Sequence, residues 1–267
     1  MSQVRLFLST RAKIAFMTLA TKILSVESPS SRGAVDVFTG APLDFVKVIA
    51  AGLMVVDHVN YIFFGHVANI MWYLGRPVFP LFAFALVCNL MRGTNVLDYV
   101  EKLILLGVVS QPIYATLMAT DEGNTIFTLA VGVVIIMALK PLHLVVQHLV
   151  FLAGIATIFS SFFRVREGLD YGIAGMLLPA ALYLVLGGRW SHAIWLALLV
   201  FALNWYPIDN PWNLKPIQVS CFAGTVSILI ALTALALKKR TRFLPRYALH
   251  IFYPGHLLAL MAIHAWM

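Results

Sequence analysis

Asp57 and His58 stand side by side about two-thirds of the way through an apolar stretch from Leu43 to Phe64. A lone carboxylate in a membrane span costs about 3 kcal/mol, so such groups persist where they find partners and perform a function. His58 suits general base catalysis, because imidazole has a reference pKa of about 6.5 and needs no large shift to exchange protons near neutrality. Arg76 is the natural partner for Asp57, since an unpaired buried charge is far worse than a paired one. The pair could serve chemistry or simply lock two helices together, and both roles are compatible. Two further motifs carry chemistry. Tyr253-Pro254-Gly255-His256 is expected to interrupt the last span, because proline removes a helical hydrogen bond. Gly75-Arg76-Pro77 with Phe79-Pro80 predicts a second break. Backbone opened at membrane depth is tolerated where it lines a polar cavity, and the carbonyls and guanidinium there would suit an anion or a polarised carbonyl.

The elements that must position these groups are transmembrane helices. Hydrophobic residues make up 61% of the 267-residue chain and charged residues 11%, against roughly 25% charged in soluble domains. The mean hydropathy is +0.90. Apolar blocks of helix-spanning length run over Leu43–Phe64, Ala68–Met91, Val96–Ala119, Asn124–Leu139, Leu142–Ser161, Tyr171–Gly187, Trp190–Tyr206, Pro216–Leu237 and Pro245–Trp266. The expected fold is all-α: a polytopic integral membrane bundle of about nine transmembrane helices. Residues 43–267 form the membrane domain, and residues 1–42 a basic segment and linker that could lie on the membrane as an amphipathic helix.

Charge placement predicts orientation. Arg5, Arg11, Lys13, Lys22 and Arg32 precede the first span, and Lys238, Lys239, Arg240, Arg242 and Arg246 lie between the last two. With a cytoplasmic N-terminus and nine spans, both clusters fall inside, as the positive-inside rule requires; eight or ten spans would put one outside. The net charge of +8 is thus read as topological. No basic face points to nucleic acid. Cys88 and Cys221 both fall within spans, where cysteine usually acts as a small hydrophobe.

Sequence position converts to depth at 1.5 Å per residue. On this topology Asp57, His58, Gly75, Arg76, Gln111, Asn124, Thr125, Thr128, Asp170 and Tyr171 share the outer half of the membrane, with His256 near its middle. Six segments thus converge on one slab. His143 and His148 are expected to bond to backbone, while His66, His192 and His264 lie near interfaces. No spacing of His, Cys or acidic residues suggests a metal.

The ordered motifs resemble the TraX family, the F-pilin acetylases of conjugative plasmids. The matching residues are Asp57-His58; Gly75-Arg76 with Phe79-Pro80; Ser110-Gln111-Pro112; Asn124 with Phe127-Thr128-Leu129; Asp170-Tyr171-Gly172; and Phe252-Tyr253-Pro254 with His256. Position 111 is Gln where relatives commonly carry Glu, which argues against an acid role there. The basic N-terminal extension is longer than usual, which suggests a divergent branch. The resemblance implies acetyl transfer from acetyl-CoA to the N-terminal amine of a pilin held in the bacterial inner membrane. It also implies kinship with membrane acyltransferases that acetylate envelope glycans. On that reading His58 or His256 takes the amine proton, Asp57 orients the imidazole, and Arg76 with Asn124 stabilises the oxyanion. Gln111, Asn124, Asp170, Tyr171 and Tyr253 would line the acceptor site. Lys238, Lys239, Arg240 and Arg242 would meet the CoA phosphates, although plain topology-setting charge explains that loop equally well. The alternatives are a pilin peptidase or cyclase, another pilus maturation factor, or a non-enzymatic proton-coupled transporter.

Overall fold

The computed structural model describes residues 38–65, 70–160, 168–204, 215–237 and 241–267. Among them the regular structure is helical, with one isolated bridge joining Gly123 to Leu169. The helices are α1 (Ala41–Phe64), α2 (Ile70–Gly75), α3 (Val78–Met91), α4 (Val96–Met118), α5 (Thr125–Leu139), α6 (Leu144–Ser160), α7 (Gly172–Leu186), α8 (Ala193–Leu203, after a 3-10 turn over Trp190–His192), α9 (Lys215–Leu235) and α10 (Ala248–Trp266). Each block expected to span thus coincides with a helical segment, α2 and α3 together forming the second. Five segments are long and apolar enough to cross a membrane: α1, Ile70–Met91, α4, Ile217–Leu235 and α10. The segments Thr125–Leu139, Leu144–Phe159, Gly172–Leu186 and Trp190–Leu203 are shorter apolar helices. The segment before residue 38 and the residues Lys238, Lys239 and Arg240 lie outside the described residues.

Local chemistry explains where the helices stop. Asn95 and Asn124 cap α4 and α5, each side-chain oxygen accepting an N–H two residues on, from Leu97 (3.1 Å) and Ile126 (3.0 Å). This satisfies donors that a helix start leaves open. Leu139 and Leu144 bound a short turn in which the Leu142 N–H reaches the Leu139 carbonyl (3.0 Å), so Lys140 and Pro141 do separate two helices.

Packing depends on small residues. Between helices in lipid there is little hydrophobic drive, and close backbone approach supplies dispersion contacts instead. A β-carbon on Gly132 of α5 would come within 2.8 Å of the Pro179 ring on α7. Around this crossing Val133, Ile136, Leu178 and Ala181 form the centre of the core. The outer faces carry Leu105, Val109, Val145, Leu149, Leu152, Ile228, Leu232, Ile251 and Leu258, all exposed. Apolar stripes at helical spacing on so many elements exceed what a water-soluble monomer leaves uncovered, and they mark a helical membrane protein.

Gly132→Leu should drive α5 and α7 apart and lower stability by ~1–3 kcal/mol, whereas Gly224→Leu, where an added β-carbon meets nothing within 4 Å, should be tolerated. Thermal unfolding of the two purified variants checks this. Equal melting temperatures would refute the close crossing.

Candidate active site

Consecutive residues on a helix diverge by about 100°, so Asp57 and His58 address different neighbours. Asp57 faces the break between α2 and α3. There Arg76 Nη2 donates to Asp57 Oδ1 at 2.9 Å, with the guanidinium side chain 6% exposed and the carboxylate 17%. Arg76 Nε donates to the Trp72 carbonyl (3.1 Å), and the guanidinium carbon lies 4.7 Å from the centre of the Trp72 indole. The expected break at Gly75-Arg76-Pro77 is therefore present, and Arg76 itself supplies a donor to the helix end. Gly75 is required by the same contact: a β-carbon there would overlap the Asp57 carboxylate.

His58 faces α10 instead. Its Nδ1 lies 3.0 Å from His256 Nε2, and the two rings stack with centroids 5.1 Å apart and planes 13° from parallel. His256 Nδ1 is 3.0 Å from the Phe252 carbonyl. A carbonyl only accepts, so His256 Nδ1 carries the hydrogen and, in the neutral ring, its Nε2 carries a lone pair. His58 Nδ1 must then be the donor, and His58 Nε2 is left as the basic nitrogen. The second histidine thus does what a carboxylate does in a hydrolase triad: it fixes the tautomer of the base. The expectation that Asp57 orients His58 is replaced by this arrangement.

Asp57, His58 and Arg76 line a cavity of about 1050 Å³. Tyr61, Tyr114, Glu122, Thr125, Asp170, Tyr171 and Tyr253 share that end of it. Thr125 Oγ1 donates to Asp170 Oδ2 (2.5 Å), and Thr128 Oγ1 donates to the Asp170 carbonyl (2.5 Å), tying α5 to the start of α7. Tyr171 has a left-handed backbone (φ 63°) and stacks on Phe79 with centroids 4.4 Å apart. Tyr253 packs its ring edge-on to His256 at 5.6 Å. Acidic and neutral groups dominate here, around one guanidinium.

The opposite end of the same cavity is cationic. Lys47 of α1, Arg92 after α3, Lys102 of α4, Arg242 and Arg246 at the approach to α10, and His250 in its first turn line it. The loop bearing Arg242 is held down by Asp44. Its buried carboxylate accepts the N–H groups of Phe243 and Leu244 at 3.0 Å each, with Arg242 Nε at 3.8 Å.

Several expected site residues converge, and others do not. Asp57, His58, Arg76, Asp170, Tyr171 and Tyr253 reach the cavity and His256 backs it. Gln111 and Asn124 do not line it. Gln111 bridges the Glu122 carbonyl and the Asn124 N–H, each at 2.8 Å. The Asn124 amide donates to the Gly107 carbonyl (3.0 Å) and to Ser110 Oγ (3.2 Å). Both side chains are spent on the joint between α4 and α5, and Asn124 has no donor left for an oxyanion. Of the loop cations expected to meet CoA, Arg242 lines the cavity, while the other three lie outside the described residues. The expected interruption at Tyr253-Pro254-Gly255-His256 is absent: α10 is continuous, with Pro254 inside it. Proline's own φ is helical, so the ring forfeits one hydrogen bond, and buried Tyr253, His256, Leu257 and Leu260 hold the helix against its neighbours. His143 Nδ1 accepts the Val145 N–H (3.4 Å), a backbone bond as expected. His148 instead accepts from Trp195 Nε1 (2.6 Å) and stacks on His192, away from the cavity.

Lys47, Arg92 and Lys102 were not among the residues expected at the site, whereas Arg246 belongs to the basic loop that was. Lys47 carried a usable signal, being an ionisable group one turn into an apolar span.

Comparison with known proteins gives a consistent picture. A family model described as "TraX protein" matches residues 42–264. A protein of Escherichia coli named "Protein TraX" is 30% identical over 219 residues, covering 81% of this chain and 85% of its own length. A second, from Escherichia coli strain K12 and of the same name, is 29% identical over 227 residues, with 81% and 85% covered. A Dichelobacter nodosus protein named "Probable fimbrial assembly protein FimC, serogroup H1" is 27% identical over 232 residues, covering 80% of this chain and 92% of its own. No solved structure matches.

Removing one member of a buried ion pair costs about 3–5 kcal/mol, because it strands the other charge, whereas replacing both can be nearly neutral. Arg76→Met should therefore destabilise the protein more than the double replacement Asp57→Leu with Arg76→Met. Additive losses in a thermal-unfolding double-mutant cycle would show that the two groups do not depend on each other.

Proposed function

The chain belongs to the TraX family, and from that premise we propose that it is a membrane acetyltransferase that carries acetyl from acetyl-CoA to the N-terminal amine of a pilin. The family and the fimbrial-assembly name of a relative support a role in pilin maturation. The observation that supports acyl transfer itself is the histidine couple: His58 lines the cavity with its tautomer set by His256, and the Arg76 guanidinium lines the same space.

The proposed reaction is direct transfer. The amine nitrogen attacks the thioester carbon, and His58 Nε2 takes the proton it sheds. Hydrogen bonding to His256 Nε2 stabilises the imidazolium that forms. Arg76, already neutralised in part by Asp57, donates to the developing oxyanion. As the carbon–sulfur bond breaks, the proton on His58 passes to the thiolate leaving group, giving free CoA and the N-acetylated pilin. Among the described residues no Ser or Cys lines the cavity with His58 to demand a covalent intermediate; Cys88 is buried in a separate cluster with Leu43 and Val46. On this reading the N-terminus and both basic clusters face the cytoplasm at the inner membrane, as the positive-inside rule favours, and the acidic end of the cavity faces outward, where a membrane-held pilin would present its amine.

Loss of a general base lowers rates by about 10²–10⁴-fold. His58→Ala should abolish pilin modification, read as the missing acetyl mass on pilin from cells expressing the folded variant. His256→Gln, whose amide oxygen can still accept from His58 Nδ1, should retain more activity than His256→Ala, while His143→Ala and His264→Ala stay near wild type. Unchanged acetylation in His58→Ala would refute the assignment, and pilin of equal mass with and without the protein would refute acetyl transfer altogether.

A further inference from the structure

The cationic end of the cavity is not explained by the chemistry at His58. Lys47, Arg92, Lys102, Arg242, Arg246 and His250 come from four separate parts of the chain and meet around one space. Among the described residues, Arg242 alone of these cations has a carboxylate within 4 Å, the Asp44 side chain, and that distance is 3.8 Å. Lys47 lies within electrostatic range of the Asp44 carboxylate and of Arg242 and Arg92, and His250 within range of Lys102 and Lys47, so one carboxylate serves a cluster of cations. Like charges gathered around a concave, partly desolvated space repel one another, and a bound polyanion relieves that repulsion. Orientation in the membrane needs basic loops, but it does not need their side chains turned onto a common cavity.

The spacing narrows the ligand further. Lys47 and His58 stand on the same helix eleven residues apart, about 16 Å of rise. A ligand engaging both ends must carry its phosphates and its reactive carbonyl on opposite ends of a long, thin link. A compact acyl phosphate cannot do this. A pantetheine arm can, and the cavity is unbroken between the two ends. We propose that Lys47, Arg92, Lys102, Arg242 and Arg246 form the seat for the nucleotide phosphates of the coenzyme A donor, whose pantetheine arm runs along α1 to present the thioester at His58. Asp44 is a positioning residue in this seat: by binding two backbone N–H groups it holds the loop that brings Arg242 and Arg246 to the rim. The inference rests on the acetyl-transfer reading, and the test separates the two.

Binding of coenzyme A and of dephospho-coenzyme A to the purified full-length protein in phosphatidylcholine nanodiscs is measured by calorimetry, at low and high salt. Wild type should bind coenzyme A more tightly than the dephospho form, and more weakly as salt rises. The exposed double variant Arg92→Gln with Lys102→Gln should lose about tenfold or more in affinity, since each contact is a charge-assisted hydrogen bond, and should abolish the preference for the extra phosphate. His58→Ala should bind coenzyme A like wild type. If wild type binds but the double variant binds equally well, the seat is wrong and the acetyl-transfer reading stands. If wild type binds no coenzyme A in any condition, both fall. If phosphatidylglycerol in the nanodisc, and not coenzyme A, shifts the melting temperature in a manner that Arg92→Gln with Lys102→Gln removes, the cations serve a lipid headgroup and the proposal is overturned.

Discussion

One ion pair organises the centre of this protein. A carboxylate and a guanidinium taken out of water are tolerable when each satisfies the other and the remaining donors find acceptors. Arg76 meets both conditions: it pairs with Asp57 and donates to the Trp72 carbonyl, a helix end that the break before Pro77 has opened. The absence of a side chain on Gly75 gives the carboxylate its place. Charge, break and glycine are therefore one device. It fixes the phase of α1 against α2 and α3, and by fixing that phase it turns His58 toward α10.

The cavity that results is electrically divided. One end gathers the carboxylates of Asp57, Glu122 and Asp170 with a set of tyrosines; the other gathers cations. Such a division favours cations at one end and polyanions at the other, and on the proposed acetyl transfer it would keep the amine and the donor apart. The imidazole couple sits within the acidic half.

Much of this was legible in the chain. The spans follow from apolar blocks, and Arg76 was the natural partner of Asp57 from the cost of burying either alone. The helix break at Arg76 followed from Gly75 and Pro77. What could not be read were relations that depend on rotational phase and on distant packing. Tyr253-Pro254-Gly255 resembles Gly75-Arg76-Pro77 in composition, yet α10 runs through it because side chains on both sides of the proline are held by neighbouring helices. Gln111 and Asn124 share the depth of the site but face the joint between α4 and α5. Depth is encoded by residue number; facing is not. The cationic end of the cavity was legible only in its loop member Arg242, since Lys47, Arg92 and Lys102 are scattered along the sequence and each reads singly as an interfacial charge.

The order of synthesis gives the two central contacts different histories. Asp57 and Arg76 are 19 residues apart, so at about 5–20 residues per second the ribosome supplies the partner within ~1–4 s. The charged carboxylate is neutralised almost as soon as its helix enters the bilayer. His58 and His256 are 198 residues apart, and by the same rates His58 waits ~10–40 s for the residue that sets its tautomer. An incompletely made chain can thus form the Asp57–Arg76 pair but not the histidine couple. His58 acquires its ring partner only with the final helix, after the other walls of the chamber have been made.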